Sequence, residues 1–230
     1  MIDFPNVRRI VTPKGEIAMI ARGAEILFQA QRYKRELLDL ESTGTQWIDT
    51  RYAFADDFTW EIDFEGMNTG ATLFGGRTSA ARTAVLYYGN AQSNNGVPFL
   101  SCSIAGYTGA NTPFKLGALS DGRHIVKMSV NSNKGSVWMD GVQMYADKEF
   151  PGSYISKVTQ AIFADNYGNG RIEEYASSKV YGSKMWQGET LVRDFIPVID
   201  NNDVPCMYDK VTGELFYNQG TGEFLYVGDT

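Results

Sequence analysis

The sequence predicts an all-β protein: a two-sheet antiparallel jelly-roll sandwich preceded by a short N-terminal β-meander. Three observations carry the prediction. Apolar residues recur with period two in short runs, most plainly Trp60, Ile62 and Phe64 against Glu61, Asp63 and Glu65. The runs are broken by Gly, Asn and Asp corners at short intervals, which is how strands and turns alternate in all-β domains. Aromatic residues make up 13% of the chain beside 24 glycines, a pairing that suits pleated faces joined by tight turns. No repeat of fixed period is present, which argues against a solenoid or a propeller.

Taken in order, residues 7–12, 16–21 and 24–29 read as three strands, turned by Pro13, Lys14 and Gly15 and then by Arg22 and Gly23. A meander of this size presents Ile10, Val11, Ile17, Met19, Ile26 and Phe28 and has little of its own to bury them on. It therefore calls for a partner, and residues 1–32 are assigned as a docking segment distinct from a domain at 33–230. Residues 29–37 read either as a polar joint or as another edge strand. Strands are then expected at 46–52, 57–64, 71–76, 83–88, 98–104, 124–130, 135–139 and 143–145, and in the closing part at 178–186, 189–196, 214–217 and 223–227. Asp140 and Gly141 give the clearest hairpin signal, because both central residues of a type I′ turn take positive φ. Residues 173–178 read as one helical turn at most, and no helix of ordinary length is expected.

At 230 residues the chain can bury a sizeable core. Its 21 Lys and Arg against 27 Asp and Glu give a net charge of −6, which disfavours a partner recognised through phosphates, nucleic acid included. No apolar run approaches the roughly 18 residues of a membrane span, so no membrane insertion is expected, and the first residues lack the apolar stretch of a signal peptide. Cys102 and Cys206 show no metal or redox spacing and read as small buried side chains, their pairing left open.

Loops at 87–95, 105–112 and 165–170 mix tyrosine with amides and glycine, the composition that stacks on a sugar face and bonds its hydroxyls. Tyr88, Asn90, Asn94, Asp165, Asn166, Tyr167 and Asn169 are accordingly the candidate glycan-binding residues. Asp165 and Asn169 are also weak calcium candidates, calcium being the one cofactor considered, since they offer oxygen ligands but not the order of an EF-hand loop. Tight turns select the same residues. His124 is the only histidine; it lies in an alternating run with no nucleophile motif attached and reads as a structural residue at a strand end.

Two phrases, YKRELLDLESTGTQWIDTRY at 33–52 and ASSKVYGSKMWQGETLVRDFIPVID with MYDKVTGELFYNQGTGEFLYVG at 176–200 and 207–228, resemble the opening and closing segments of concanavalin-A-like (laminin-G-like) jelly-roll domains in proteins of phages and prophages of gut bacteria. The resemblance covers roughly residues 33–229. It implies a non-enzymatic virion protein, synthesised in the host cytoplasm without a signal peptide. The N-terminal segment would dock on other virion proteins, and the jelly roll would serve host-glycan adhesion or brace the particle. Capsid or tail location and homo-oligomerisation stay open. Glu61, Asp63 and Glu65 also resemble the catalytic strand of laminarinase and lichenase glucanases, which share this architecture. Carried over, Glu61 would be the nucleophile, Asp63 its tuning partner and Glu65 the acid/base. Cα atoms four residues apart lie about 13 Å apart on a flat strand, whereas a retaining pair needs carboxylates about 5–5.5 Å apart. The preferred reading of the triplet is a solvated polar face, with a retaining β-glucanase as the alternative.

Overall fold

The computed structural model describes residues 7–11, 17–22, 25–29, 32–78, 81–89, 97–104, 114–150 and 157–228. Strands β1 (Val7–Val11), β2 (Ile17–Arg22) and β3 (Glu25–Gln29) form an antiparallel sheet of their own, in that order. The chain continues through β4 (Tyr33–Glu36), β5 (Leu40–Thr43), β6 (Ile48–Asp49), β7 (Phe58–Glu65), β8 (Ala71–Thr78), β9 (Ala81–Gly89), β10 (Phe99–Ser103) and β11 (Phe114–Gly117). It then forms β12 (Arg123–Asn131), β13 (Lys134–Met139), β14 (Val142–Glu149), β15 (Ala161–Ile162), β16 (Asp165–Asn166) and β17 (Ile172–Glu173). It closes with β18 (Ser177–Gln187), β19 (Thr190–Asp200), β20 (Pro205–Asp209) and β21 (Glu214–Phe216).

These strands make two sheets. The larger runs β14, β13, β12, β7, β18, β19, β20, β21, with β4 beside β19 and β5 beside β18. The smaller runs β11, β10, β9, β8, β15, β6, with β16 pairing to β8 and to β17. Pairing is antiparallel throughout except where β16 meets β8. Neighbours such as β7 between β12 and β18 are distant in sequence, so the chain crosses between sheets as a sandwich requires.

Alternation explains which face turns inward. Phe58, Trp60, Ile62 and Phe64 of β7 are buried while the intervening residues are partly exposed, and β12 repeats the pattern with Val126, Met128 and Val130. Trp60 of the larger sheet stacks on Phe74 of the smaller with ring centroids 5.0 Å apart, and Phe54 stacks on Phe58 at 4.2 Å. Asp140 and Gly141 have φ of 51° and 78°, as the hairpin signal required. Gly76 answers a different need: a Cβ there would sit 2.8 Å from the Thr159 carbonyl oxygen, so only glycine lets that segment cross β8.

Several expectations are corrected. The ambiguous stretch after the meander is a strand, β4. The strand expected at 46–52 shrinks to Ile48–Asp49, since Arg51 takes a φ of 53° and the chain leaves the ladder. Residues 173–178 hold no helical turn, because Glu174 has a φ of 54° and the chain then enters β18. Residues 223–227 contribute only a bridge between Leu225 and Glu41. Among the described residues there is no helix. Cys102 and Cys206 are both buried free thiols, and burial pushes the Cys206 thiol up to about 12.

Candidate functional site

The main open depression, about 830 Å3, lies where β6 and β8 of the smaller sheet meet the turn between β16 and β17. Trp47, Asp49 and Lys157 line one part of it, and Asn166, Tyr167, Asn169 and Arg171 another. Trp47 and Asp49 flank Ile48, whose side chain is buried, so strand alternation turns both toward the groove. The turn opposite is built by positive φ at Gly168, Asn169 and Gly170 and by the Asn166 side chain, whose Oδ1 accepts from Gly168 N at 2.9 Å and whose Nδ2 donates to Thr159. Asn169 is exposed at its tip.

A buried cation anchors that turn. Arg77 of β8, 7% exposed, pairs through Nε with Asp165 at 2.7 Å and through an Nη with Glu174 at 2.6 Å. Its guanidinium also lies 4.0 Å from the centre of the Tyr167 ring. Tyr167 donates to Glu174 at 3.2 Å, and Thr72 donates to the other Glu174 oxygen at 2.9 Å. Arg171 stands 4.5 Å from the same ring.

This arrangement redistributes the roles expected of the loop. Asp165 is not a loop ligand; it is a strand residue with no exposed surface, paired with a guanidinium. As a calcium ligand it is corrected on the same ground, since a fixed cation occupies its carboxylate while Asn169 stands on the exposed tip. No cluster of three or more metal-ligating side chains is found among the described residues. Tyr167 lines the groove, but two guanidiniums rather than a sugar lie over its ring. Tyr88 belongs to β9 and lines a separate depression of about 470 Å3 with Glu65, Met67 and Leu119, so the structure does not bring it to the 166–171 turn. Asn90 and Asn94 lie outside the described residues, as does the 105–112 loop. Sequence reasoning missed Trp47, Lys157 and Arg171. The signal for Trp47 was present in its alternation with Ile48.

The triplet Glu61, Asp63 and Glu65 does lie on the outward face of β7, as alternation required. Its members are engaged there. Arg123 clamps Asp63 through two hydrogen bonds of 2.7 Å each. Tyr181 donates to Glu65 at 2.6 Å; burial, and then this bond, push its phenol up to about 12. Glu61 stands in register between Lys127 and Lys184, and Lys127 is flanked by the rings of Trp138 and Trp186 at 5.8 and 5.5 Å. The register with β12 runs unbroken from Glu65 to Thr59. The depression beside Glu61 and Asp63 measures about 240 Å3.

Neither a protein-family model nor a curated protein sequence matches the chain. Among solved structures, a protein of Bacteroides ovatus described as carbohydrate-binding matches 84% of this chain with a TM-score of 0.53 and 12% identity, and the match spans 60% of that protein's length. A Trypanosoma rangeli sialidase in complex with sialic acid matches 80% of the chain and 31% of its own, at 11% identity and a TM-score of 0.44. Domain 4 of an extracellular arabinanase from Geobacillus stearothermophilus matches 81% and 77%, at 10% identity and 0.37. The first of these places the architecture among β-sandwiches of the carbohydrate-binding kind; the other two scores are too low to add to it.

Proposed function

We propose that this chain is a glycan-binding module whose site is the groove between Trp47 and the turn at residues 166–171. The observation that carries the reading is an indole set among amide, carboxylate and cationic side chains around one open depression. A saccharide offers C–H faces to an aromatic ring and hydroxyls to such polar groups, the mixture that fixes orientation in ligand sites. The shared architecture with a protein described as carbohydrate-binding supports it at the level of fold. The groove is open, so one site binds weakly, and useful adhesion comes from several copies acting together.

The test is a glycan array probed with multivalent protein, wild type beside Trp47→Ala and Asn169→Gly, the latter preserving the backbone at a φ of 53°. Both substitutions should lower binding at least about tenfold, roughly 1.4 kcal/mol, in proteins that melt cooperatively. A blank array with multivalent wild type would overturn the reading.

The setting we infer is display on a phage virion, supported by the resemblance of the opening and closing phrases alone. Residues 1–32 then hold the module to other virion proteins, and deleting residues 1–30 should abolish its incorporation into particles. Full occupancy by the truncated protein would place attachment elsewhere. We also infer that the module does not cleave glycosidic bonds, because Asp63 is held by Arg123 and Glu65 by Tyr181 rather than presented to a substrate. Turnover of laminarin or lichenan by the wild type, lost in both Glu61→Gln and Glu65→Gln, would reverse that inference.

A further inference from the structure

Away from the groove, a hydroxyl, an imidazole and a carboxylate are linked in series. Ser120 Oγ lies 3.1 Å from His124 Nε2, and His124 Nδ1 lies 2.8 Å from Asp140 Oδ2. The carboxylate is itself fixed: Asp140 Oδ1 accepts from Ile125 N at 2.8 Å, and Asp140 N donates to the Ile125 carbonyl at 2.9 Å. His124 is 7% exposed and set against Phe64, whereas Ser120 is exposed. Nucleophile, base and orienting acid thus stand in the order that activates a serine, with the base held and the hydroxyl presented. The series opens on the second depression, about 470 Å3, where Ser120 is joined by the apolar side chains of Met67 and Leu119 and by Tyr88. The N–H groups of Asp121 and Gly122, which follow Ser120 in the turn, make no hydrogen bond among the described residues.

We propose that Ser120, His124 and Asp140 form a hydrolytic site for carboxylic esters of short acyl groups, with the acyl chain seated against Met67, Leu119 and Tyr88. Ser120 Oγ bonds to the ester carbonyl carbon as its proton passes to His124 Nε2. The C–O bond to the leaving alcohol then breaks and the alcohol takes that proton. Water next adds to the acyl-serine, giving a proton to Nε2, and the carboxylic acid departs as Ser120 regains its hydrogen. Water is the only co-reactant, so the step balances without oxidant or reductant. Asp140 is a positioning residue: it holds the ring with Nδ1 protonated so that Nε2 faces the serine. Tyr88, which shares no groove with the 166–171 turn, has a place in this account as part of the acyl wall.

The ring has a competing use, and this gives the site a signature. Nε2 is also 3.2 Å from the Ser120 carbonyl oxygen, which a protonated ring can satisfy and a neutral one cannot. Asp140 faces Nδ1 and Ser120 faces Nε2; Arg123, the strand neighbour of His124, points away toward Asp63 and is in register with Glu65. Only the neutral ring can take the serine proton, so the rate climbs as pH rises through the titration of His124.

The full chain should be treated with a fluorophosphonate probe and, separately, with p-nitrophenyl acetate and butyrate. The site predicts covalent labelling at Ser120 and ester turnover that falls about a hundredfold or more in Ser120→Ala, a change to an exposed side chain that leaves the fold intact. Asp140→Asn should lower turnover at least about tenfold and move the pH profile, which loss of packing alone would not do. Wild-type protein that is labelled and turned over no faster than Ser120→Ala overturns the proposal, and His124 is then a tie between the 118–122 turn and the β13–β14 hairpin. Glycan binding at the Trp47 groove should be untouched by Ser120→Ala, so the two sites stand or fall separately.

Discussion

Arg77 is the residue on which one wall of the groove depends. It satisfies a fully buried carboxylate, a second carboxylate and an aromatic face at once. Removing one partner of a buried ion pair leaves the other uncompensated and costs about 3–5 kcal/mol. Arg77→Met should therefore destabilise the domain by that order in urea unfolding, and Arg77→Lys should recover little, because an ammonium cannot bridge two carboxylates with a planar fork. Unchanged unfolding free energy in Arg77→Met would show that the cluster is not what secures the turn. Asp165 and Arg77 also mark a limit of sequence reading. Nothing in the run of Asp, Asn, Tyr and Gly at 165–168 distinguishes an exposed ligand from a buried counter-ion, since the decision is made by a guanidinium on a strand remote in sequence. His124 carries a pH prediction. Burial pushes it down, but the hydrogen bond to Asp140, the bond to the Ser120 carbonyl and the charge of Asp140 together outweigh this and hold it above its ordinary value of 6.5. A base whose folded pKa is raised adds stability below its unfolded pKa, and that share is lost as pH rises through the folded one. Midpoints in urea for wild type and His124→Gln should thus converge above neutrality and separate at pH 6; equal separation at both ends would contradict the linkage.

At the scale of the element, legibility followed alternation. Strands with four buried positions in register, such as β7 and β12, were readable because burial of every second side chain leaves a period-two imprint. Two-residue strands such as β15, β16 and β17 leave none, and they are the ones that build the groove wall. The 165–170 turn was therefore legible as a turn and illegible as part of a sheet. Gly76 shows the same limit: a glycine within an apolar run signals close approach of another segment, but not which one. The structure identifies it as residues 159–160, and Thr159 also receives the Asn166 side chain. Gly76→Ala should push that segment off β8, move Asn166 with it and weaken glycan binding more than an exposed alanine substitution on β14 would. Wild-type affinity in Gly76→Ala would mean that the crossing does not position the groove. Gly141→Ala tests a local effect instead. Its φ of 78° strains any residue with a Cβ, so a loss of about 1 kcal/mol is expected with binding unchanged.

For the whole molecule, the sandwich is closed by contacts made between its own two sheets. Trp60 stacks on Phe74 across the interface, while Phe195 and Phe216 meet edge to face at 5.0 Å where β19 and β21 approach. The meander β1–β3 forms a separate sheet with no ladder to either layer. The first strand that joins the larger sheet is β4, paired to β19 from Tyr33 onward. Two-layer domains of this size carry their own core and fold as units, so everything needed for the fold follows residue 32. A chain beginning at Arg32 should therefore unfold cooperatively, with a thermal midpoint close to that of the full chain, and should retain both glycan binding and reactivity at Ser120. The near-ultraviolet circular dichroism of Trp60 and its aromatic neighbours reports on this directly, because their fixed environment exists only when the two sheets are packed. A truncated protein that keeps its strand signal in the far ultraviolet but loses the aromatic one, and melts without a sigmoidal transition, would show that the N-terminal strands belong to the core of the sandwich and are not a separable docking segment.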